Sequence, residues 1–137
     1  MLSGSCLCGD IKIAYEGEPA LKALCHCNGC KKQSGSVFSS NIVVPDNAFK
    51  LISGTPKTYI KENTASGNKA TNFFCGSCGT TLWLETPTVP DTKIIKVGVM
   101  DDMSTLSNAK PGAEMFSPNR VDWVPQAPNA AQLKTMA

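Results

Sequence analysis

Arginine occurs once in this chain, at Arg120, and histidine once, at His26. The 13 Lys and Arg residues nearly balance 11 Asp and Glu, and no basic block stands out. A nucleic-acid footprint is therefore unsupported. No apolar stretch approaches the roughly 20 residues needed to span a bilayer, which argues against a membrane protein. The first residues, Met1 to Cys6, lack the basic start and apolar run of a secretion signal. These absences lead to the expectation of a soluble, cytoplasmic protein whose thiols stay reduced. Internal repeats and low-complexity segments are also missing. At 137 residues the chain suits one domain with a modest core, expected over 1–124. The remainder, 125–137, is rich in Pro, Ala, Asn and Gln and is expected to be a loosely packed tail.

Cysteine, by contrast, is plentiful and tightly grouped. All seven cysteines fall in three clusters: Cys6-Leu7-Cys8, Cys25-His26-Cys27-Asn28-Gly29-Cys30, and Cys75-Gly76-Ser77-Cys78. An odd count and the close spacing of Cys6 and Cys8 argue against a disulfide framework, so metal binding is the simpler reading. In an extended strand, residues two apart share a face. Cys25 and Cys27 then point together while His26 points away, which favours a hydrogen-bonding histidine over a fourth ligand reached only by distorting the strand, and the Asn28-Gly29 turn returns Cys30 towards them. Cys6 and Cys8 converge in the same way, and Cys75 with Cys78 make a two-residue knuckle. A closed zinc site takes four thiolates, so four plus three uses every cysteine and leaves one site with an open position. Spacing alone also permits a ribbon site of Cys27, Cys30, Cys75 and Cys78, although the intervening segment is long for one. Purely structural zinc at both sites is compatible with the same spacing.

Along the chain, Ile11, Ile13 and Tyr15 alternate with Lys12, Ala14 and Glu16, the period of a half-buried strand. Further strands are expected over 21–27, 36–44, 49–52, 58–60, 69–75, 81–84 and 93–100, with short ones at 114–116 and 121–124. A helical turn over Lys31 to Ser34 is closed by Gly35, Glu62 to Asn68 reads as a hairpin loop, and 101–111 as irregular. The sum is an all-β domain of short strands with little helix.

The motifs Gly4-Ser5-Cys6-Leu7-Cys8-Gly9, Cys25 to Cys30 followed by Lys31 and Lys32, Ser34-Gly35-Ser36, and Phe74-Cys75-Gly76-Ser77-Cys78-Gly79 occur in that order. In this the chain resembles the glutathione-dependent formaldehyde-activating enzyme family, which also includes centromere protein V. Val121-Asp122-Trp123-Val124 resembles the family's C-terminal segment more weakly. The resemblance implies a zinc-containing β-tent fold of short antiparallel strands. It assigns Cys6, Cys8, Cys75 and Cys78 to a structural zinc, and Cys25, Cys27 and Cys30 to a catalytic one. The implied activity joins formaldehyde to glutathione as S-(hydroxymethyl)glutathione, formally a carbon–sulfur lyase run in reverse.

Three thiolates on Zn²⁺ leave a net charge of about −1, and such a site holds an incoming thiol as thiolate. Glutathione is expected to enter the open position and react with an electrophilic carbon. Lys31 and Lys32 are candidates for its carboxylates, with Arg120 offering a bidentate grip. Asp101, Asp102 and Glu114 are conceivable proton carriers or partners of the glutathione ammonium, although solvated turn charges are the plainer reading. Ser34, Ser36 and Phe38 are candidate pocket residues, with Phe38 also readable as core. Two rival readings remain at this level: a zinc-stapled binding or scaffold protein, and a thiol-redox protein using Cys27 and Cys30.

Overall fold

Short strands build two sheets, and the face to which alternate side chains of each strand project decides where the site lies. The computed structural model describes residues 1–64 and 67–136. Strands β1 (Leu2–Ser5) and β2 (Lys12–Tyr15) pair antiparallel. Strand β3 (Leu21–Cys25) leads into helix α1 (Asn28–Ser34), then β4 (Ser39–Pro45) and β5 (Phe49–Ser53). Next come β6 (Lys57–Lys61), β7 (Ala70–Phe74), β8 (Thr81–Glu85) and β9 (Thr92–Lys96). Helix α2 (Met103–Asn108), β10 (Ala113–Met115) and β11 (Ala131–Gln132) complete the order. One sheet has the order β1-β2-β5 and the other β11-β10-β3-β4-β9-β8-β7-β6.

The main core joins both sheets. Ile13 and Tyr15 of β2 cluster with Ile42 and Val44 of β4, Leu82 and Trp83 of β8 and Ile95 of β9. Trp83 stacks on Phe73 at 4.5 Å between ring centroids and meets Phe49 at 4.9 Å, tilted. Because side chains alternate along a strand, Asn41 and Val43 of β4 project to the opposite face from Ile42 and Val44. That second face carries the candidate site. A smaller cluster of Ala23, Cys25, Ala113 and Met115, with Leu21, Phe116, Leu133 and Met136 against it, closes one end of this face. Gly4 bridges to Met100, and a Cβ there would meet the Val99 carbonyl oxygen at 2.8 Å, so β1 approaches the next segment only without a side chain.

The sheet-dominated, helix-poor architecture agrees with the sequence reading, and the differences are local. The apolar run 93–100 stops as a strand at Lys96 and turns into a 3-10 helix over Val97–Val99. Residues 101–111 are not irregular throughout: Asp102 caps α2 by accepting from the Ser104 N–H at 2.9 Å. Asn28 and Gly29 begin α1 instead of forming a free turn, and the strand expected from residue 36 starts at Ser39. The strand expected at 121–124 is a turn closed by Val124 N–H to the Val121 carbonyl at 3.1 Å. Two pairings at one end of the larger sheet, β3 with β10 and β10 with β11, are parallel. From segment 125–137, β11 joins this edge and Leu133 packs on the smaller cluster. The hairpin loop expected over 62–68 includes residues 65 and 66, which lie outside the described residues, as does residue 137. No helix among the described residues is long and apolar enough to cross a membrane.

Candidate functional site

The seven sulfurs gather in two groups, and the ribbon pairing of Cys27 and Cys30 with Cys75 and Cys78 does not form. The first group holds Cys6, Cys8, Cys75 and Cys78, all within 4.8 Å of one another. The end of β1 brings Cys6 and Cys8, and the β7–β8 knuckle brings the other pair. Cys6 and Cys8 sulfurs lie 3.7 Å apart, as do those of Cys8 and Cys75. A tetrahedron with metal–sulfur bonds of 2.3 Å has an edge of about 3.8 Å, whereas a disulfide needs about 2.05 Å. The spacing therefore fits four thiolates around one zinc ion, and all seven cysteines are free. Backbone N–H groups point at these sulfurs, Ile11 at Cys6 (3.2 Å) and Ser77 and Cys78 at Cys75 (3.4 and 3.5 Å). Such donors stabilise thiolate charge. Hydrogen bonds from Thr80, first from its hydroxyl and then from its N–H, hold the Cys78 thiol down at about 5.

Cys25, Cys27 and Cys30 form the second group, again within 4.8 Å. Cys25 ends β3, held between Ser39 of β4 and Met115 of β10. Cys27 is the N-cap of α1, its sulfur accepting the Cys30 N–H at 3.3 Å, and Gly35 ends the helix in the left-handed region at φ 66°. Shared S–H hydrogen bonds from Cys25 and Cys30, aided by the Lys61 charge, pull the Cys27 thiol well below its ordinary value. The same sharing pushes Cys25 up. Three soft donors converging at this separation fit one zinc ion, with no fourth protein ligand among the described residues. All three line a cavity of about 950 Å³.

Of the lysines singled out in the sequence, Lys32 lines this cavity, while Lys31 donates to the Asn119 carbonyl at 2.7 Å. Two other lysines face the cysteines. Lys96 of β9 lines the cavity and donates to Asn41 Oδ1 at 2.8 Å. Burial pushes its ammonium below the usual range, and the charges of Cys30, Cys25 and Cys27 draw it back. Lys61 of β6 reaches the start of α1, where a Cβ on Gly29 would lie 2.5 Å from its Nζ. Gln33 of α1 also donates to Asn72 of β7, so the sheet curls back under the helix. Sequence spacing carried no signal for Lys61 or Lys96, because both arrive from strands far along the chain. Ser34 instead bonds the Cys30 carbonyl at 2.7 Å, and Phe38 packs on the His26 ring at 5.7 Å between centroids. Neither these two nor Ser36 lines the cavity.

A family model described as glutathione-dependent formaldehyde-activating enzyme matches residues 1–119. The chain belongs to this family. A Halomonas elongata protein, provisionally named as a glutathione-dependent formaldehyde-activating enzyme, is 24% identical over 127 residues. That match covers 90% of this chain and 80% of the relative. A crystal structure of a Rhodobacter sphaeroides protein shares the fold, with a TM-score of 0.59 at 17% identity. It covers 74% of this chain and 90% of that one.

In this glutathione-dependent formaldehyde-activating family member, the peptide between two site cysteines is anchored from behind. His26 is fully buried, and its Nε2 lies 2.7 Å from Glu114 Oε1. Glu114 is not a solvated turn charge: it is 0% exposed and also accepts from Ala127 N–H (2.9 Å) and Gln132 Nε2 (2.8 Å). Arg120 is turned to this carboxylate, Nη2 to Oε2 at 3.4 Å, and to Gln132, and it does not line the cavity. Burial pushes the Glu114 carboxyl up, but these donors outweigh it and hold it at about 2, against 4.5 ordinarily. A depressed carboxylate gives stability that is present above pH 4.5 and lost as pH falls towards 2. The wild-type advantage over Glu114→Gln, on the order of 3 kcal/mol, is expected to shrink through that window in urea unfolding. Thiolate protonation affects both proteins alike, so a pH-independent gap would count against the network.

Proposed function

We propose that the protein is a zinc-dependent carbon–sulfur lyase or synthase acting on glutathione adducts, with S-(hydroxymethyl)glutathione formed from formaldehyde as the family reaction. The observation that carries this reading is the contrast between the two cysteine groups. Four sulfurs close on one another at the first, whereas three sulfurs at the second open onto a cavity. A closed set serves as a staple, and an open set admits a substrate.

Cys25, Cys27 and Cys30 would hold the ion, which when bound supplies the Lewis acidity that keeps a thiol deprotonated at neutral pH. The rest falls to side chains of this chain. Lys96, oriented by Asn41, and Lys61 set positive charge opposite the sulfur trio, offsetting the charge that a further thiolate brings. Lys32 and Lys61 line the cavity and would take the glutathione carboxylates, while Lys31 and Arg120 are engaged by Asn119 and Glu114. Thiols add to aldehydes unaided, so holding sulfur and carbonyl together supplies most of the required acceleration.

Exchange NMR on glutathione and formaldehyde tests this directly: the protein should speed S-hydroxymethyl exchange, with two zinc ions counted per chain. Absence of both acceleration and glutathione binding would remove the enzymatic reading and favour the scaffold one. Metal-free protein with a reversible Cys27–Cys30 disulfide would favour the redox one. Lys96→Met is expected to raise KM for glutathione by about tenfold, since a charge this close to the thiolates is only partly screened. Unchanged saturation kinetics would show that Lys96 serves Asn41 alone.

A further inference from the structure

A one-carbon electrophile uses little of the cavity beside the three cysteines. Register lays an aliphatic strip across four adjacent strands: Leu21 opposite Val43, Val43 opposite Ile94, and Ile94 opposite Leu84. All four side chains line the cavity. The neighbouring row, Asn41 opposite Lys96, is polar and lies between the strip and the cysteines. Leu21 is four residues from Cys25 on the same strand, roughly 13 Å at 3.3 Å per residue. A hydroxymethyl group on a sulfur held at the cysteines does not reach that far. Glutathione itself, with two carboxylates, an ammonium and two peptides, gains nothing by lying on aliphatic carbon.

From this placement we infer that the electrophile is an aldehyde carrying an alkyl or aryl group, bound as its glutathione hemithioacetal with that group on the Leu21–Val43–Ile94–Leu84 strip. The inference rests on the glutathione-adduct reading above and names its substrate class. The glutathione S–H adds across the aldehyde C=O. The C–S bond forms, the carbonyl π pair moves onto oxygen, and the thiol proton ends on that oxygen. The reverse reaction breaks the C–S bond and returns thiol and aldehyde.

S-methyl-, S-butyl- and S-hexylglutathione are stable thioethers that imitate the adduct without reacting. Titrated calorimetrically into the full chain, they should bind with Kd falling about fourfold per added methylene while the strip is being covered. Leu84→Asn, and Leu21→Ser on a separate strand, should flatten that dependence while melting cooperatively. Equal affinities for the three conjugates in wild type, or an undiminished slope in both folded variants, would overturn the inference. Glutathione binding without S-hexylglutathione binding would overturn it and leave the glutathione-adduct reading standing. Failure of glutathione and every conjugate to bind would overturn both.

Discussion

Cys27→Ser is expected to lower glutathione-dependent turnover by more than a hundredfold while the protein keeps a cooperative melt. The floor follows from metal-site behaviour, where losing an outer hydrogen-bond partner already costs about 10–100-fold. Loss of a ligand exceeds that, because a neutral hydroxyl replaces a soft thiolate. The fold should tolerate the change for a local reason. Cys27 caps α1 through its sulfur, and serine is among the best N-cap residues, so the hydroxyl accepts the same Cys30 N–H. Cys27 is also half-buried beside a cavity instead of embedded in the main core. Zinc counted per chain should fall from two to one, and calorimetric glutathione binding should disappear with it. Undiminished glutathione binding at one zinc per chain would place the thiol away from the cysteine trio and remove the basis of the mechanism.

The cysteine site was legible in sequence because its donors are local. Cys25, Cys27 and Cys30 occupy six consecutive positions, and strand alternation with a following turn already makes them converge. The same alternation sends His26 the other way, where the structure has it against Glu114. Its partner was not legible, because a lone carboxylate on a short strand reads as a solvated charge, and Glu114 becomes buried only when β10 and β11 pair beside β3. Lys61 and Lys96 show the same limit. Each is one of two lysines on its strand, and the curl of an eight-stranded sheet brings them to the cysteines. Strand ends were misjudged where apolar character outlasts the sheet. Val97 and Val99 stay buried while the backbone has already turned, so hydrophobicity alone overextends β9. For 121–124, an apolar residue at each end mimicked a strand, but among the described residues the segment pairs with no strand and closes as a turn.

Cys75→Ser should show the opposite pattern, with the fold failing before the chemistry is tested. Cys75 is 2% exposed and belongs to the main core cluster, and its N–H and carbonyl tie the knuckle through Thr80 and Gly79 at 2.9 and 2.8 Å. A structural zinc site contributes about 10–16 kcal/mol of binding free energy, comparable with the 5–15 kcal/mol of net stability typical of a whole domain. Even partial loss of that coupling, on the order of 3 kcal/mol, lowers the melting temperature of a chain this size by about 10 °C or more. Circular dichroism melts with and without chelator separate the contributions. Wild type should lose most of its stability on chelation, and Cys75→Ser should begin near that value and respond little. Cys8→Ser should resemble it, although Cys8 is exposed and contributes little packing of its own. A Cys75→Ser protein that melted like wild type and kept two zinc ions would show that the four-sulfur cluster does not hold β1 to the β7–β8 knuckle. The main core alone would then account for the fold.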